Sequence, residues 1–146
     1  MNRSVFILIL FLSWATVGLG DDRGPVPPRF PTSKITAEQI DAYKAEVEAL
    51  PDAGCREIWA HQQQCWSDAQ HTMWIFTLPG HPAHPAVSRG VMVVTADSEK
   101  KTSTIGIDRS GHYAGDAEAF EKWMSEFAVL DQRQLAVWQN ALRHDP

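Results

Sequence analysis

The most chemically loaded stretch of the chain is Gly80-His81-Pro82-Ala83-His84-Pro85, where two histidines each precede a proline. A residue before proline is pushed toward extended or polyproline II geometry. At about three residues per turn in that geometry, His81 and His84 project from the same side. Such a pair supplies two imidazoles to Zn²⁺ or Cu²⁺, with His71 or His112 as a third ligand if the fold brings one close. The same residues also read as a rigid loop in which proline sets the path and each histidine is solvated or hydrogen-bonded. An H-x-x-H spacing without a helix or a nearby cysteine does not separate the two readings.

A second polar run, Asp108-Arg109-Ser110-Gly111-His112-Tyr113, holds an acid, a cation, a hydroxyl and an imidazole, the groups that acid-base or nucleophilic catalysis uses. The catalytic candidates are His84, Asp108 and His112, with a histidine as general base and Asp108 orienting it. Triads are assembled in space from separate segments, however, so adjacency is no argument for one. The alternative is a polar turn at Ser110-Gly111, with Asp108 and Arg109 paired at the surface.

Tryptophan is a third resource. Trp123 and Trp138 fall on apolar helical stripes and read as core. Trp59, Trp66 and Trp74 are less constrained. A small α+β domain needs large residues to fill its core, which favours packing for them too. The alternative is an exposed indole beside the Gln and His residues that stacks on a sugar ring or anchors a protein partner. Trp74 and Ile75 are neighbours and point to opposite faces of a strand, so one of them faces outward unless both faces are covered.

Cys55 and Cys65 are an even pair, which in an oxidising compartment favours one disulfide, the alternative being two free buried thiols. Continuous helix would hold their Cα atoms ~15 Å apart, well beyond the ~4.4–6.8 Å that a disulfide spans. Either the bridge or a helix over 55–65 forms, not both. Cys55, Trp59, Gln62 and Trp66 fit a helix while Cys55, Glu57, Trp59 and His61 fit an alternating strand, and the bridge favours a strand or a bent loop. The spacing is also too wide for a thioredoxin-like redox pair or a zinc knuckle.

Several elements must position these groups. Thr36 and Gln39 make a capping box, with Ile35 and Ile40 as its hydrophobic staple, and Ile40, Tyr43, Val47 and Leu50 form one apolar stripe ended by Pro51. Residues Thr72–Leu78, Ala86–Thr95 and Thr102–Asp108 are rich in β-branched and aromatic side chains and predict three antiparallel strands, with a turn over Ala96–Lys101. Asp116 can cap a helix carrying Phe120, Trp123, Met124 and Phe127. Asp131 with Gln134, and Leu130 with Leu135, repeat the capping-box and staple spacings and predict a second helix bearing Leu135, Trp138 and Leu142. The expected fold is α+β: a small antiparallel sheet of three to four strands with an N-terminal helix and two C-terminal helices packed on one face.

The start of the chain reads as a secretory signal over residues 1–20: Arg3, the apolar run Val5–Leu12, then small residues ahead of Asp21 and Asp22. The stretch Val5–Leu19 is shorter than the ~20 residues of a spanning helix, so no stable membrane anchor is expected after cleavage. Residues 21–34 follow as a Pro-rich extended arm, with 35–146 as a single α+β domain. Removing residues 1–20 takes away one of 13 basic residues and none of 18 acidic ones, so the formal charge moves from −5 to −6. The densest basic cluster is Lys100-Lys101, which argues against nucleic acid as a partner.

These observations lead to an exported protein, periplasmic or extracellular, that acts as a binding module rather than an enzyme. Its partner would be a protein, a glycan or a small molecule, met by the loop carrying His81, Pro82, His84 and Pro85 together with Tyr113. No cofactor is required by this reading. The alternatives are a Zn- or Cu-binding protein using His81 and His84, and a small metal-independent hydrolase using His112 and Asp108.

Overall fold

The structure is a computed structural model and describes Phe30 and residues 32–97, 99 and 102–143. The expected signal segment, most of the expected Pro-rich arm and much of the expected Ala96–Lys101 turn lie outside the described residues. Helix α1 (Ala37–Glu48) is followed by strands β1 (Gly54–Ile58), β2 (Gln62–Ser67), β3 (Thr72–Thr77), β4 (Ala86–Asp97) and β5 (Thr102–Tyr113), and then by helix α2 (Ala117–Arg143). The strands form one antiparallel sheet in sequence order, β1-β2-β3-β4-β5.

Helix α1 begins as its sequence predicts. The Gln39 N–H donates to Thr36 Oγ1 at 3.2 Å, and the Thr36 N–H donates to Gln39 Oε1 at 2.9 Å. Two of the otherwise orphaned helix donors are thereby satisfied reciprocally. The disulfide joins Cys55 and Cys65, which stand directly opposite in the β1–β2 register with Cα atoms 4.1 Å apart. At the end of β2, the Asp52 carboxylate accepts the Ser67 hydroxyl and the Ala69 N–H, and these bonds, the backbone one foremost, hold its pKa below the ordinary Asp value.

Neighbouring strand residues face opposite sides of a sheet, so packing partners reveal which side each helix covers. Cys65, Trp74 and Phe76 pack with Ile40, Tyr43 and Val47 of α1. Ile75 packs instead with Phe120, Trp123 and Phe127 of α2. The two helices therefore lie on opposite faces, and β3 is buried from both sides. Trp74 is fully buried on the α1 face, where its indole N–H donates to the Tyr43 hydroxyl at 3.0 Å.

This architecture corrects the expected one in three respects. The sheet has five strands because the disulfide-locked segment 54–67 is a hairpin that extends it. A single C-terminal helix replaces the expected two. Residues 128–130 contain neither Gly nor Pro, and the Asp131 carboxylate, expected to cap a new helix, is bonded to Arg109, so the backbone ladder runs on unbroken. The helices sandwich the sheet and do not share a face. The side chains of Trp138 and Leu142, placed on the stripe of the second helix, lie outside the described residues.

Strand β5 also runs five residues further than expected, through the run read as a polar turn. Gly111 sits inside this strand, where a Cβ would stand 2.8 Å from Met124 Sδ and 2.9 Å from Phe120 Cζ. The glycine marks the close approach of α2 to the sheet, not a turn.

Candidate functional site

The His/Pro segment folds as consecutive turns: the His81 N–H donates to the Leu78 carbonyl and the His84 N–H to the His81 carbonyl, each at 3.0 Å. Polyproline II has no such internal bonds. Both imidazoles are engaged by the protein itself. His81 Nδ1 accepts the Ala83 N–H at 3.1 Å, and its ring meets the edge of Trp123. His84 Nδ1 donates to the Thr77 carbonyl at 3.0 Å. His61, at the β1–β2 turn, lies against Gly80, and its carbonyl accepts the Leu78 N–H at 2.7 Å. The loop thus braces the β1–β2 turn against the start of α2. Burial, outweighing the nearby Glu126 charge, holds the His81 pKa below the ordinary histidine value, with His61 and His84 adding to the effect.

The catalytic candidates are not brought together. Asp108 and His112 lie four residues apart along β5, about 13 Å at strand rise. His112 is turned toward α1, where Nδ1 donates to the Thr32 carbonyl at 2.8 Å and the ring packs between Phe30 and Tyr43. Asp108 is exposed. Tyr113 stacks on Phe120 with ring centroids 4.6 Å apart. Neither His71 nor His112 completes a set with His81 and His84, and among the described residues no group of three or more His, Cys, Asp or Glu side chains is placed to hold a metal ion.

The most developed concavity lies elsewhere, between the α2 face of the sheet and the second half of α2: an open cleft of about 610 Å³. One wall is a row along β2, Gln62, Gln64 and Trp66, which share a face because they alternate with Gln63 and Cys65. The Trp66 indole lies against Gly54, where any Cβ would clash with Cζ2 and Cε2 of its six-membered ring. Trp66 stays 39% exposed, and Trp59, at the turn beyond β1, is 75% exposed. Ala60 and His61 in that turn both adopt left-handed backbone conformations, with φ of 58° and 55°. These cost roughly 1–2 kcal/mol per residue for non-glycine side chains. The strained turn presents Trp59 at the rim of the cleft.

The other wall is a stripe on α2, Trp123, Phe127, Leu130, Gln134 and Val137, at spacings of four and three residues. Trp123 and Phe127 are 4% exposed, whereas Leu130 is 45% and Val137 61% exposed. The first two residues of the stripe are sealed against Ile75 and Ala86, and the later ones overhang the sheet. Closing them down would bury the Gln62 and Gln64 amides under apolar side chains, which is unfavourable unless every polar atom keeps a partner.

Met73, Met92 and Ile107 form the floor, and Arg109 closes the deep end. The Arg109 guanidinium donates to both Asp131 carboxylate oxygens and to Ser88 Oγ, and it stacks 4.4 Å from the Phe127 ring centroid. This cation is neutralised within the protein. Among the described residues Gln64 Nε2 donates to Met73 Sδ, a weak acceptor, while its Oε1 accepts from Arg56 at 3.3 Å. A ligand carbonyl or hydroxyl can replace the thioether at little cost.

Sequence reasoning placed the site in the His/Pro loop and did not find the cleft. Two signals pointed to it: the alternation of Gln62, Gln64 and Trp66 opposite a bridged Cys65, and an apolar stripe continuing from Trp123 to Val137 across the expected helix break. Comparison of the chain with known protein families, with curated proteins and with solved structures finds no match.

Proposed function

We propose that the protein is an exported binding module whose ligand occupies the cleft between the β2 row and the overhanging half of α2. One observation carries this reading: the α2 stripe passes from sealed at Phe127 to open at Leu130 and Val137, opposite two exposed indoles. A cleft of about 610 Å³ matches the size of small-molecule sites, which are mostly apolar with a few polar groups that orient the ligand. Here those groups are the Gln62 and Gln64 amides. Because Arg109 and Asp131 satisfy each other, the deep end favours an uncharged molecule. The ligand is neutral and amphipathic, with a flat or aliphatic surface against Trp66 and Leu130 and an oxygen facing Gln64.

The loop carrying His81, Pro82, His84 and Pro85 acts here as the brace that holds the Trp59 turn and not as the binding surface. Export rests on the pattern of residues 1–20. The Cys55–Cys65 bridge is compatible with it, as is the finding that no helix among the described residues is long and apolar enough to cross a membrane.

The test is a fluorescence titration with Nile red, a neutral amphipathic dye bearing a carbonyl. Saturable binding at one site is expected, weakened about tenfold or more by Leu130→Arg, which places a charge in the apolar wall, and weakened also by Trp66→Ala. Glu46→Gln, on exposed α1 surface, leaves it unchanged. Non-saturable binding, or binding indifferent to both cleft variants, overturns the proposal.

A further inference from the structure

The sheet has two edges of different character. Strand β1 is five residues long, carries adjacent charges at Arg56 and Glu57, and is bridged to β2. Strand β5 is twelve residues long, and from Thr102 to Ile107 it holds no charge and no proline. Short length, charge and proline are the devices that blunt a strand edge. Short length and charge protect β1, whereas β5 is long and carries neither charge nor proline over its first half.

The outer side of β5 already pairs at its last rung. The Tyr113 N–H donates to the Ser33 carbonyl at 2.8 Å, and the Ile35 N–H donates to the Tyr113 carbonyl at 2.9 Å. Backbone groups alternate sides along a strand, so Gly111, Arg109, Ile107, Ile105 and Ser103 direct their N–H and C=O groups to the same outer side. Among the described residues no further strand covers them. The chain upstream of Ser33 is a poor candidate: Pro25, Pro27, Pro28 and Pro31 have no N–H to donate, and Phe30 packs against Tyr43 and His112.

The β4–β5 pair also outruns the rest of the sheet. β3 pairs with β4 only as far as Thr72 with Val91, while β4 and β5 remain paired to Asp97 with Thr102. The overhang is a two-stranded ribbon with Val93 40% and Val94 62% exposed. Such a ribbon is marginal in water without a further strand.

We infer that the outer edge of β5 pairs antiparallel with β5 of a second copy of this chain, across a two-fold axis at Gly106, joining the two sheets into one. An antiparallel strand pair is self-complementary, as a two-fold interface requires. Centred on Gly106, it sets Ile105 opposite Ile107 on the α2 face and Thr104 opposite Asp108 on the other, with no like charges opposed. Gly106 falls at a narrow, non-hydrogen-bonded position, where strands approach most closely and a side chain would crowd its own copy.

The test combines sedimentation with amide exchange, on protein purified after expression of the full chain. A monomer–dimer equilibrium is expected over the micromolar range, with exchange at the Ile105 and Ile107 amides slowing about tenfold or more as the dimer fills. Ile107→Pro removes an outward donor without touching the β4 ladder, and it is expected to yield a folded monomer. A chain that stays monomeric at all concentrations overturns the inference, as does a dimer whose Ile105 and Ile107 amides exchange as in the monomer, or one that persists in folded Ile107→Pro. Should that variant fail to fold, wild-type exchange at these two amides decides.

Discussion

Arg109 of β5 and Asp131 of α2 are joined by two parallel hydrogen bonds of 2.7 and 2.6 Å, at the point where the helix begins to overhang the sheet. Their side chains are only 10% and 17% exposed, so the pair is a desolvated clamp and not a surface contact. It fixes how far α2 stands above the floor of the cleft.

Removing one member strands the other. Asp131→Ala is expected to lower stability by about 3–5 kcal/mol, whereas the Arg109→Met/Asp131→Leu double variant loses much less, because no unpaired charge is left buried. Urea unfolding of the two variants checks this. Equal losses in both would mean that the pair's contribution is packing alone.

Gly111 sets the approach of the same helix at its other end. Gly111→Ala should cost about 1–3 kcal/mol, since Met124 and Phe120 must retreat from the added methyl. Gly106→Ala, whose Cβ would meet Val93 Cγ2 of its own chain at 3.3 Å, serves as the milder comparison at concentrations where the protein is monomeric. Thermal melts of both proteins rank them.

The disulfide should contribute about 2.5–3 kcal/mol through the chain entropy of its short loop. Reduction, or the Cys55→Ser/Cys65→Ser variant, lowers the urea midpoint accordingly. Loosening of β1 also shifts Trp66 emission to the red, because Gly54 no longer holds the indole. An unchanged midpoint on reduction would sink this account.

His81 ties stability to pH. Its folded pKa lies below the unfolded value of 6.5, chiefly through burial, so the folded state binds its proton less readily. This contribution is fully present above 6.5 and is lost as pH falls through the folded pKa. Protonation at Nδ1 would also destroy the acceptor for the Ala83 N–H. Urea midpoints between pH 8 and 5, set beside those of His81→Gln, isolate the effect: the variant should show a shallower decline on the acid side.

Local chemistry was legible in the sequence wherever it acts over a few residues. The Thr36–Gln39 box appears as read, and Asp116 accepts the Ala119 N–H at 2.8 Å at the start of α2. The geometric bound on the Cys55–Cys65 bridge correctly excluded a helix between them. What stayed hidden depends on partners far along the chain. The spacing of Asp131 and Gln134 resembles a capping box, but the Asp131 carboxylate is claimed by Arg109, 22 residues earlier. Ser110-Gly111 looks like a turn until α2 is seen to need the space. Trp74 and Ile75 proved to be the case in which both faces are covered. The loop histidines draw attention by their chemistry, yet each uses its Nδ1 to brace backbone, which no local pattern reveals.

The meander order of the sheet shapes how the chain folds. Every strand pairs with its neighbour in sequence, so each pairing closes only a short loop, and topologies dominated by such local contacts fold quickly for β-rich proteins. The exception is the strap at Ser33–Ile35, whose contacts with Tyr113, like the bond from His112 to the Thr32 carbonyl, join residues about 80 positions apart. The entropy of closing that long loop is recovered only once β5 has a sheet to belong to. The strap is therefore the last part of the β-layer to dock and, in unfolding, the first to leave.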